Sequence, residues 1–297
     1  MILNKEKTVL FYSFKGGVGR TQLLLNAAKY LANKGKKILM VDFDIYAPGL
    51  SYWENFNENL KEKEEIFFLK FLIDMFEGNE INKKIYKKKV SENLYLLPVY
   101  DMTNISVYHQ LLTYFSQFLY DIKSKANKAI SNNTTLGDAI IEKIVDNLVK
   151  DEHYDYIFFD ARTGLTEVSD VLFSSRIDLK VLISGCNMQN IKGINSVLNL
   201  MKDNGKHSIL RVLSLLPDNI NKNELSYLRS EASLDENPEL KKLFEWHGIM
   251  EISYFKCLSL KDFDAWEGSE INENYKKQII DIANKIEEVL EGQLIEL

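Results

Sequence analysis

A glycine-rich turn between a predicted strand and a predicted helix constrains this sequence more than any other feature. The segment FKGGVGRT occupies residues 14–21, between the apolar run Thr8–Phe14 and a helical pattern at Thr21–Asn33. Glycines let successive backbone N–H groups face one anion, and the first turn of a helix adds a favourable dipole. A threonine at the helix start can place its hydroxyl on Mg²⁺. The turn therefore predicts a phosphate-binding loop, with a ligand-free glycine turn as the alternative.

Strand-like and helix-like segments alternate along the 297 residues, which predicts βαβ units and a mostly parallel sheet. We expect strands at Thr8–Phe14, Lys37–Asp42, Asn93–Val99, Tyr156–Asp160, Leu179–Ser184, Ser208–Leu216 and Ile249–Tyr254. We expect helices at Thr21–Asn33, Glu62–Phe76, Ile105–Lys125, Leu136–Lys150, Asn190–Lys202 and Glu273–Glu291. Near-continuous apolar strands suit a sheet that is covered on both faces. The expected fold class is α/β, with a doubly wound, mostly parallel sheet and helices on both faces.

Length and composition favour one domain spanning residues 1–297, with helical insertions at about 51–93 and 103–150. A chain of this size can bury a large core without disulfides. The two cysteines, Cys186 and Cys257, cannot build a disulfide framework or a four-thiolate metal site. The sequence contains no 18-residue apolar run, and its start lacks signal-peptide architecture. We therefore expect a cytoplasmic protein without a membrane span.

The loop departs from the ordinary pattern G-x-x-x-x-G-K-[ST] at two positions, where Phe14 replaces the first glycine and Arg20 replaces the lysine. The alternative pattern KGGVG-[K/R]-T fits, and it resembles the deviant Walker A loop of the ParA/MinD family of dimerising ATPases, in a KGGVGR variant. The resemblance implies that the loop binds ATP through Lys15, Gly16, Gly17, Val18, Gly19, Arg20, Thr21 and Gln22. It also implies that Lys15 crosses a dimer interface to the nucleotide of a second copy and acts in catalysis.

The same resemblance implies that Arg20 holds the β- and γ-phosphates and that the Thr21 hydroxyl binds the Mg²⁺ ion. Arginine keeps the positive charge and offers a bidentate fork, but it is longer and planar, so the geometry must differ from that of lysine. We expect nucleotide binding to survive this change. Hydrolysis depends on close placement of charge around the transferred phosphoryl group, and it stays an open question.

Two acidic segments accompany the loop. VDFDIYAPGL, at 41–50, puts Asp42 and Asp44 at the carboxyl end of a predicted strand, where ligands bind in open α/β sheets. It resembles the family's second acidic motif, which implies that Asp42 belongs to the Mg²⁺ shell and that Asp44 positions the attacking water. An ordinary strand-ending turn is the alternative.

DYIFFDARTGL, at 155–165, resembles the family's Walker B strand and switch II. The resemblance implies that Asp160 holds an Mg²⁺-bound water and that the Gly164 amide senses the γ-phosphate. Arg162 is left with three alternatives: phosphate, the dimer interface or a local carboxylate. The family also implies base contacts near Pro217–Asn219 and Ser253–Phe255.

The function expected from these motifs is that of a dimerising, ATP–Mg²⁺-binding switch for a partner protein, with slow hydrolysis. One alternative is a regulatory or scaffold subunit that hardly hydrolyses ATP, and another is a DNA-binding partitioning ATPase. The net charge of −6 argues against a whole-surface nucleic-acid binder. The basic run Lys83–Lys89 is interpreted as a solvated helix face, with phosphate-backbone contact as the alternative. The C-terminal helix is acidic, which disfavours a membrane anchor.

Overall fold

The computed structural model describes residues 6–52, 65–126, 136–165, 173–202, 205–254 and 273–292. The strands within these ranges are β1 (Lys7–Ser13), β2 (Ile38–Phe43), β3 (Glu65–Ile66), β4 (Lys84–Ile85), β5 (Lys88–Ser91), β6 (Leu94–Leu97), β7 (Tyr156–Ala161), β8 (Leu179–Gly185), β9 (His207–Leu216) and β10 (Phe244–Ser253). The helices are α1 (Arg20–Asn33), α2 (Phe68–Glu77), α3 (Ile105–Ala126), α4 (Leu136–Val149), α5 (Met188–Met201), α6 (Lys222–Ala232), α7 (Pro238–Leu243) and α8 (Glu273–Gly292).

Eight strands form one sheet in the order β10-β9-β8-β1-β7-β2-β6-β5. All neighbouring pairs are parallel except β5, which runs antiparallel to β6. Strands β2, β7 and β8 are buried at every position, as the continuous apolar pattern predicted for a sheet with both faces covered. The predicted fold class is confirmed.

Helices cover the two faces of the sheet with separate apolar layers. On one face α1 and α8 pack onto the sheet, and fully buried Leu24 and Ile282 belong to that layer. The opposite face carries α2 to α5, whose buried side chains include Phe71, Phe115 and Ile194. The sheet therefore lies between two cores, and its carboxyl edge is left for loops.

In the segment at 51–93, predicted to be a helical insertion, the described residues form α2 together with the strands β3, β4 and β5. Its helix begins at Phe68 rather than Glu62, because Glu65 and Ile66 pair as a strand with β4. The first predicted helical positions, 62–64, lie outside the described residues. The second helical insertion agrees with α3 and α4, apart from residues 127–135, which are also outside that range.

The interpretation of Lys83–Lys89 as a helix face is wrong. Lys84–Ile85 and Lys88–Ser91 are strands, and β5 continues into β6 through a tight turn at Glu92 and Asn93. The physical reason is burial. Ile85 and Tyr86 are only 6% and 7% exposed, whereas Lys83 and Lys84 before them are exposed. Asparagine favours such a turn.

Two short helices and a longer last strand were not predicted. α6 begins with a capping box formed by Asn221 and Glu224, and α7 begins at Pro238 after the N-cap Asn237. Both starts carry recognisable sequence signals. β10 begins at Phe244, five residues before the predicted strand. Among the described helices, none is long and apolar enough to cross a membrane.

Candidate nucleotide-binding site

The loop between β1 and α1 has the backbone that a phosphate cradle requires. Gly17 and Gly19 have φ values of +75° and +77°, in the left-handed region that side chains with a Cβ rarely adopt. Gly19 is the N-cap of α1, so the positive end of that helix faces the loop. Val18 is 3% exposed and anchors the turn in the core. The loop is therefore shaped to present backbone N–H groups to an anion.

Phe14 occupies the position of the first glycine in an ordinary P-loop. Its ring makes a packing contact that a glycine at this position could not make. The ring lies directly over Gly193 of α5, where an added Cβ would come within 2.1 Å of Cδ1 of Phe14. Only a glycine leaves room for that contact. The start of the loop is thus fastened to α5 by an aromatic side chain.

A cavity of about 430 Å³ opens in front of this loop at the carboxyl edge of the sheet. Its lining comprises Ser13, Gly16, Gly17, Val18, Gly19, Arg20, Thr21, Gln22, Thr163, Ser214, Leu215, Ile252, Ser253, Tyr254 and Tyr275. All predicted loop residues belong to this lining except Lys15. Lys15 is exposed.

Arg20 and Thr21 line the cavity, and their side chains contact predicted carboxylates that do not belong to its lining. Arg20 donates from Nε to Oδ1 of Asp160 at 2.6 Å, and Thr21 donates from Oγ1 to Oδ2 of the same residue at 2.7 Å. A second guanidinium nitrogen, Nη2, lies 3.5 Å from Oδ2 of Asp44. The third nitrogen, Nη1, is buried and has no hydrogen-bond partner among the described residues.

Asp42 lies beside Asp160 because β2 and β7 pair with these two residues in register. One carboxylate oxygen of Asp42 accepts the backbone N–H and the hydroxyl of Ser51, at 2.7 and 2.8 Å. The hydroxyl oxygen of Ser51 in turn accepts the Val99 amide at 2.9 Å, which links the acid to the loop after β6. Asp42 is thus held rigidly at the strand end.

Burial and crowded negative charge shift the pKa values of the side chains in this cluster. Burial, and then the charge of Asp160, raises the pKa of Asp42 to about 8. Burial also raises the pKa of Asp44, while the nearby charge of Arg20 opposes that shift. Burial lowers the pKa of Arg20, but its contacts with Asp160 more than offset this, so the pKa is raised. Arg20 is the internal counter-ion of the cluster.

Switch II begins at Asp160 and is held at two points. The Tyr12 hydroxyl donates to the carbonyl of Gly164 at 3.0 Å, and Gly164 has a φ of +73°. The guanidinium of Arg162 lies over the ring of Tyr46, with Cζ 4.4 Å from the ring centroid. This aromatic contact is additional to the three alternatives for Arg162, which stay predictions.

The donor set fits a hydrated Mg²⁺ better than an ion held by protein side chains alone. Among the described residues, no group of three or more His, Cys, Asp or Glu side chains could hold a metal ion. Thr21, Asp42 and Asp160 nevertheless supply one hydroxyl and two carboxylates, the hard oxygen donors that Mg²⁺ prefers together with water and phosphate. A metal at this site would therefore be shared between Thr21, water and phosphate oxygens.

The two loops expected near the base lie in different cavities. Ser253 and Tyr254 line the cavity of the glycine-rich loop, and Phe255 falls outside the described residues. Pro217 and Asn219 instead line a separate cavity of about 330 Å³. Cys257 is also outside the described residues.

Sequence reasoning missed several cavity residues. Ser214 and Ile252 stand near the carboxyl ends of β9 and β10, so the rule that ligands bind at that edge could have found them. Leu215 adopts a φ of +62°, which nothing in its residue type announces. Tyr275 reaches the cavity from α8, and no local signal marks it.

Comparisons with known proteins agree with this geometry. A family model described as an AAA domain (AAA_31) matches residues 6–214. An uncharacterised ATP-binding protein of Methanocaldococcus jannaschii is 37% identical over 93 residues, which is 31% of this chain and 32% of that relative. The septum site-determining protein MinD of Buchnera aphidicola is 24% identical over 203 residues, which is 68% of this chain and 61% of that protein. The matches thus span from about a third to three fifths of these relatives.

A solved structure shares the fold over nearly the full length. The ATP complex of a McdA variant from Cyanothece superposes with a TM-score of 0.64 and 14% sequence identity. The superposition covers 95% of this chain and 96% of that one. At this identity the likeness establishes the fold alone.

Proposed function

The chain belongs to the AAA domain family and is a ParA/MinD-type P-loop ATPase, and from that membership we propose that it is a dimerising, ATP–Mg²⁺-dependent switch for a partner protein. In this proposal, ATP binding assembles a homodimer that engages the partner. Slow hydrolysis to ADP and phosphate then resets the interaction. The switch works because the two nucleotide states favour the dimer to different extents.

The observation that carries the proposal is the contact of two cavity residues, Arg20 and Thr21, with the buried carboxylate of Asp160. Each belongs to a different part of the expected ATP site, and each is within hydrogen-bonding distance of another. Such a cluster at a helix N-terminus suits the triphosphate end of a nucleotide. In our proposal the loop amides of residues 16–19 hold the phosphates and the Thr21 hydroxyl contributes to the metal shell.

Catalysis in this proposal requires Arg20 to change partners. Its guanidinium now contacts Asp160 and Asp44, and it would turn toward the β- and γ-phosphates when ATP fills the cavity. Asp44 would then be free to orient the attacking water, while Asp42 and Asp160 hold water in the metal shell. Mg²⁺, when bound, neutralises the charge of the phosphate oxygens.

Lys15 supports the dimeric part of the proposal. It is exposed beside the loop and does not line the cavity of its own chain. A lysine in that position is well placed to reach a nucleotide held by a second copy. We propose that it does so, which would make the catalytic site complete only in the dimer.

Phosphate release by the purified protein tests hydrolysis. We expect slow, Mg²⁺-dependent release that falls at least tenfold in Asp44→Ala, because a water-orienting group is lost. Asp146→Ala, at an exposed carboxylate on α4, is the matched control and should release phosphate at the wild-type rate. Equal background rates in wild type and Asp44→Ala would reject the enzyme.

One observation favours a second candidate, a nucleotide-binding regulatory subunit with little hydrolysis. Arg20 lies 3.5 Å from Asp44, so the residue proposed to orient water is paired with the residue proposed to hold phosphate. If Arg20 keeps this pairing in the ATP-bound state, Asp44 cannot serve the water. ATP binding without phosphate release above the Asp44→Ala background would select this candidate.

A further inference from the structure

Arg162 contacts the ring of Tyr46, and this contact has no role in the expected nucleotide site. Its guanidinium lies over the Tyr46 ring, with Cζ 4.4 Å from the ring centroid. A planar, weakly hydrated guanidinium is well suited to stack on an aromatic face. Tyr46 follows Asp42 by four positions, and Arg162 follows Asp160, the residue paired with Asp42, by two.

The stack joins two loops beyond the point where their strands stop pairing. β2 and β7 are paired through Asp42 with Asp160 and through Phe43 with Ala161. After these residues the two chains leave the sheet. The Arg162–Tyr46 stack is therefore a side-chain continuation of the β2–β7 pairing into the loops that carry the functional carboxylates.

Each loop is also fastened on its far side. Behind the loop after β2, the Tyr108 hydroxyl of α3 donates to the Ile45 carbonyl at 2.6 Å, and Ser116 donates to the Tyr46 hydroxyl at 3.3 Å. Behind switch II, Tyr12 holds the Gly164 carbonyl. The stack thus links two loops that have separate anchors, one on α3 and one on β1.

Arg20 forms a second bridge, between the loop after β2 and the end of β7, because it contacts both Asp44 and Asp160. In the proposed function, Arg20 leaves these carboxylates for the phosphates when ATP binds. The Arg162–Tyr46 stack does not depend on that move. It can hold the spacing of the two loops at the moment when the Arg20 bridge is withdrawn.

We propose that Arg162 is a positioning residue that acts through Tyr46 and keeps Asp44 and Asp160 at a fixed spacing in the nucleotide-bound site. This inference rests on the proposed function, because it assigns those carboxylates to water and metal. In this inference the Arg162 guanidinium contacts the Tyr46 ring and does not bind phosphate.

The kinetic test compares Arg162→Met, Tyr46→Leu and the double variant. We expect each single change to lower kcat about tenfold with KM for ATP within about twofold of wild type, because misplacement affects the reaction more than binding. The double variant should be no slower than the slower single variant, since both remove one contact. Arg162→Lys and Tyr46→Phe keep a cation and a ring, and both should recover most of the activity.

Three kinetic results would overturn the inference. A rise in KM of about tenfold in Arg162→Met, with Tyr46→Leu unchanged, would mean that Arg162 binds phosphate directly. Fully additive losses in the double variant would mean that the residues act separately. A loss of kcat in Tyr114→Leu, at an exposed tyrosine on α3, as large as that in Tyr46→Leu would reduce the effect to general destabilisation.

Hydrogen exchange of the nucleotide-free protein separates this inference from the proposed hydrolysis. Tyr46→Leu should speed amide exchange in switch II at 160–165, and Arg162→Met should speed it at 44–47, while Tyr114→Leu changes neither. If wild type releases no phosphate, hydrolysis is refuted and this reciprocal exchange alone decides the inference. Exchange that rises only in the mutated loop would overturn it.

Discussion

Arg20 donates from Nε to Oδ1 of Asp160 across 2.6 Å, and the two side chains are only 8% and 0% exposed. The residue expected to hold phosphate and the acid expected to hold a metal-bound water are therefore each other's partners in this structure. Removing one member of a buried ion pair leaves an uncompensated charge, which costs far more than losing a surface pair. The Arg20–Asp160 pair of the nucleotide site thus also contributes to the stability of the fold.

Arg20→Met should lower the free energy of unfolding by about 3–5 kcal/mol, because Asp160 would lose its buried counter-ion. Urea denaturation measures this directly. Arg229→Met is the matched control, since Arg229 pairs with Glu251 at the surface and its loss should cost about 1 kcal/mol or less. Equal destabilisation by the two changes would contradict the assignment of Arg20 as the counter-ion of the cluster.

Gly193→Ala should destabilise the protein by about 1–3 kcal/mol and weaken ATP binding. The new Cβ would collide with the Phe14 ring at 2.1 Å, so the start of the loop must move. Thermal unfolding and titration with ATP measure the two effects. Gly292→Ala, with nothing within 4 Å of the added Cβ, should leave both unchanged. Wild-type ATP affinity in Gly193→Ala would show that Phe14 does not anchor the loop.

Tyr254→Ala should weaken ATP binding about tenfold, because an aromatic side chain on the cavity wall can stack on the base. Asn219→Ala should leave the affinity at its wild-type value, since Asn219 lines the other cavity. Calorimetric titration of both variants makes the comparison. The opposite pattern would place the base beside Pro217 and Asn219 rather than beside Ser253 and Tyr254.

Lys180 should make folding stability rise with pH above neutrality. Its side chain is fully buried and donates to the carbonyls of Ser174 and Ile177 at 2.8 and 3.2 Å. Burial lowers its pKa from 10.5 to about 7, although Asp178 and Asp138 oppose the shift. Between these two values the unfolded chain binds more protons than the folded one, so stability increases with pH.

Urea denaturation of wild type and Lys180→Met at about pH 7 and about pH 10 isolates this contribution. The stability of wild type relative to the variant should increase from the lower to the higher pH. The comparison cancels the other titrating groups that the two proteins share. A difference that stays constant with pH would mean that Lys180 keeps an ordinary pKa in the fold.

The motifs and the parallel sheet could be read from the sequence because they rest on local rules. The glycine-rich turn, the apolar strand before it and the helix after it lie within about 25 consecutive residues. The rule that functional side chains follow the carboxyl ends of parallel strands brought Asp42, Asp44 and Asp160 to one edge without any structure. The order of β1, β7 and β2 in the sheet then sets their spacing.

The features that were missed either lack a clear local pattern or depend on partners that are distant in sequence. β5 is a lysine-rich edge strand, so it has no continuous apolar run to reveal it, and charged residues on an edge also discourage pairing with other chains. The Arg20–Asp160 pair depends on side-chain rotamers, which the spacing of residues in the sequence does not encode. Tyr275 enters the cavity from α8, a helix more than 200 residues beyond the loop.

ATP-dependent association of the purified protein tests the central claim most directly. Sedimentation velocity with ATP and Mg²⁺ should convert wild type from monomer to dimer, and ADP should not. Lys15→Ala should still bind ATP but remain monomeric, because the lysine is proposed to act on the nucleotide of the second copy. A Lys15→Ala protein that dimerises with ATP and hydrolyses it at the wild-type rate would contradict the account.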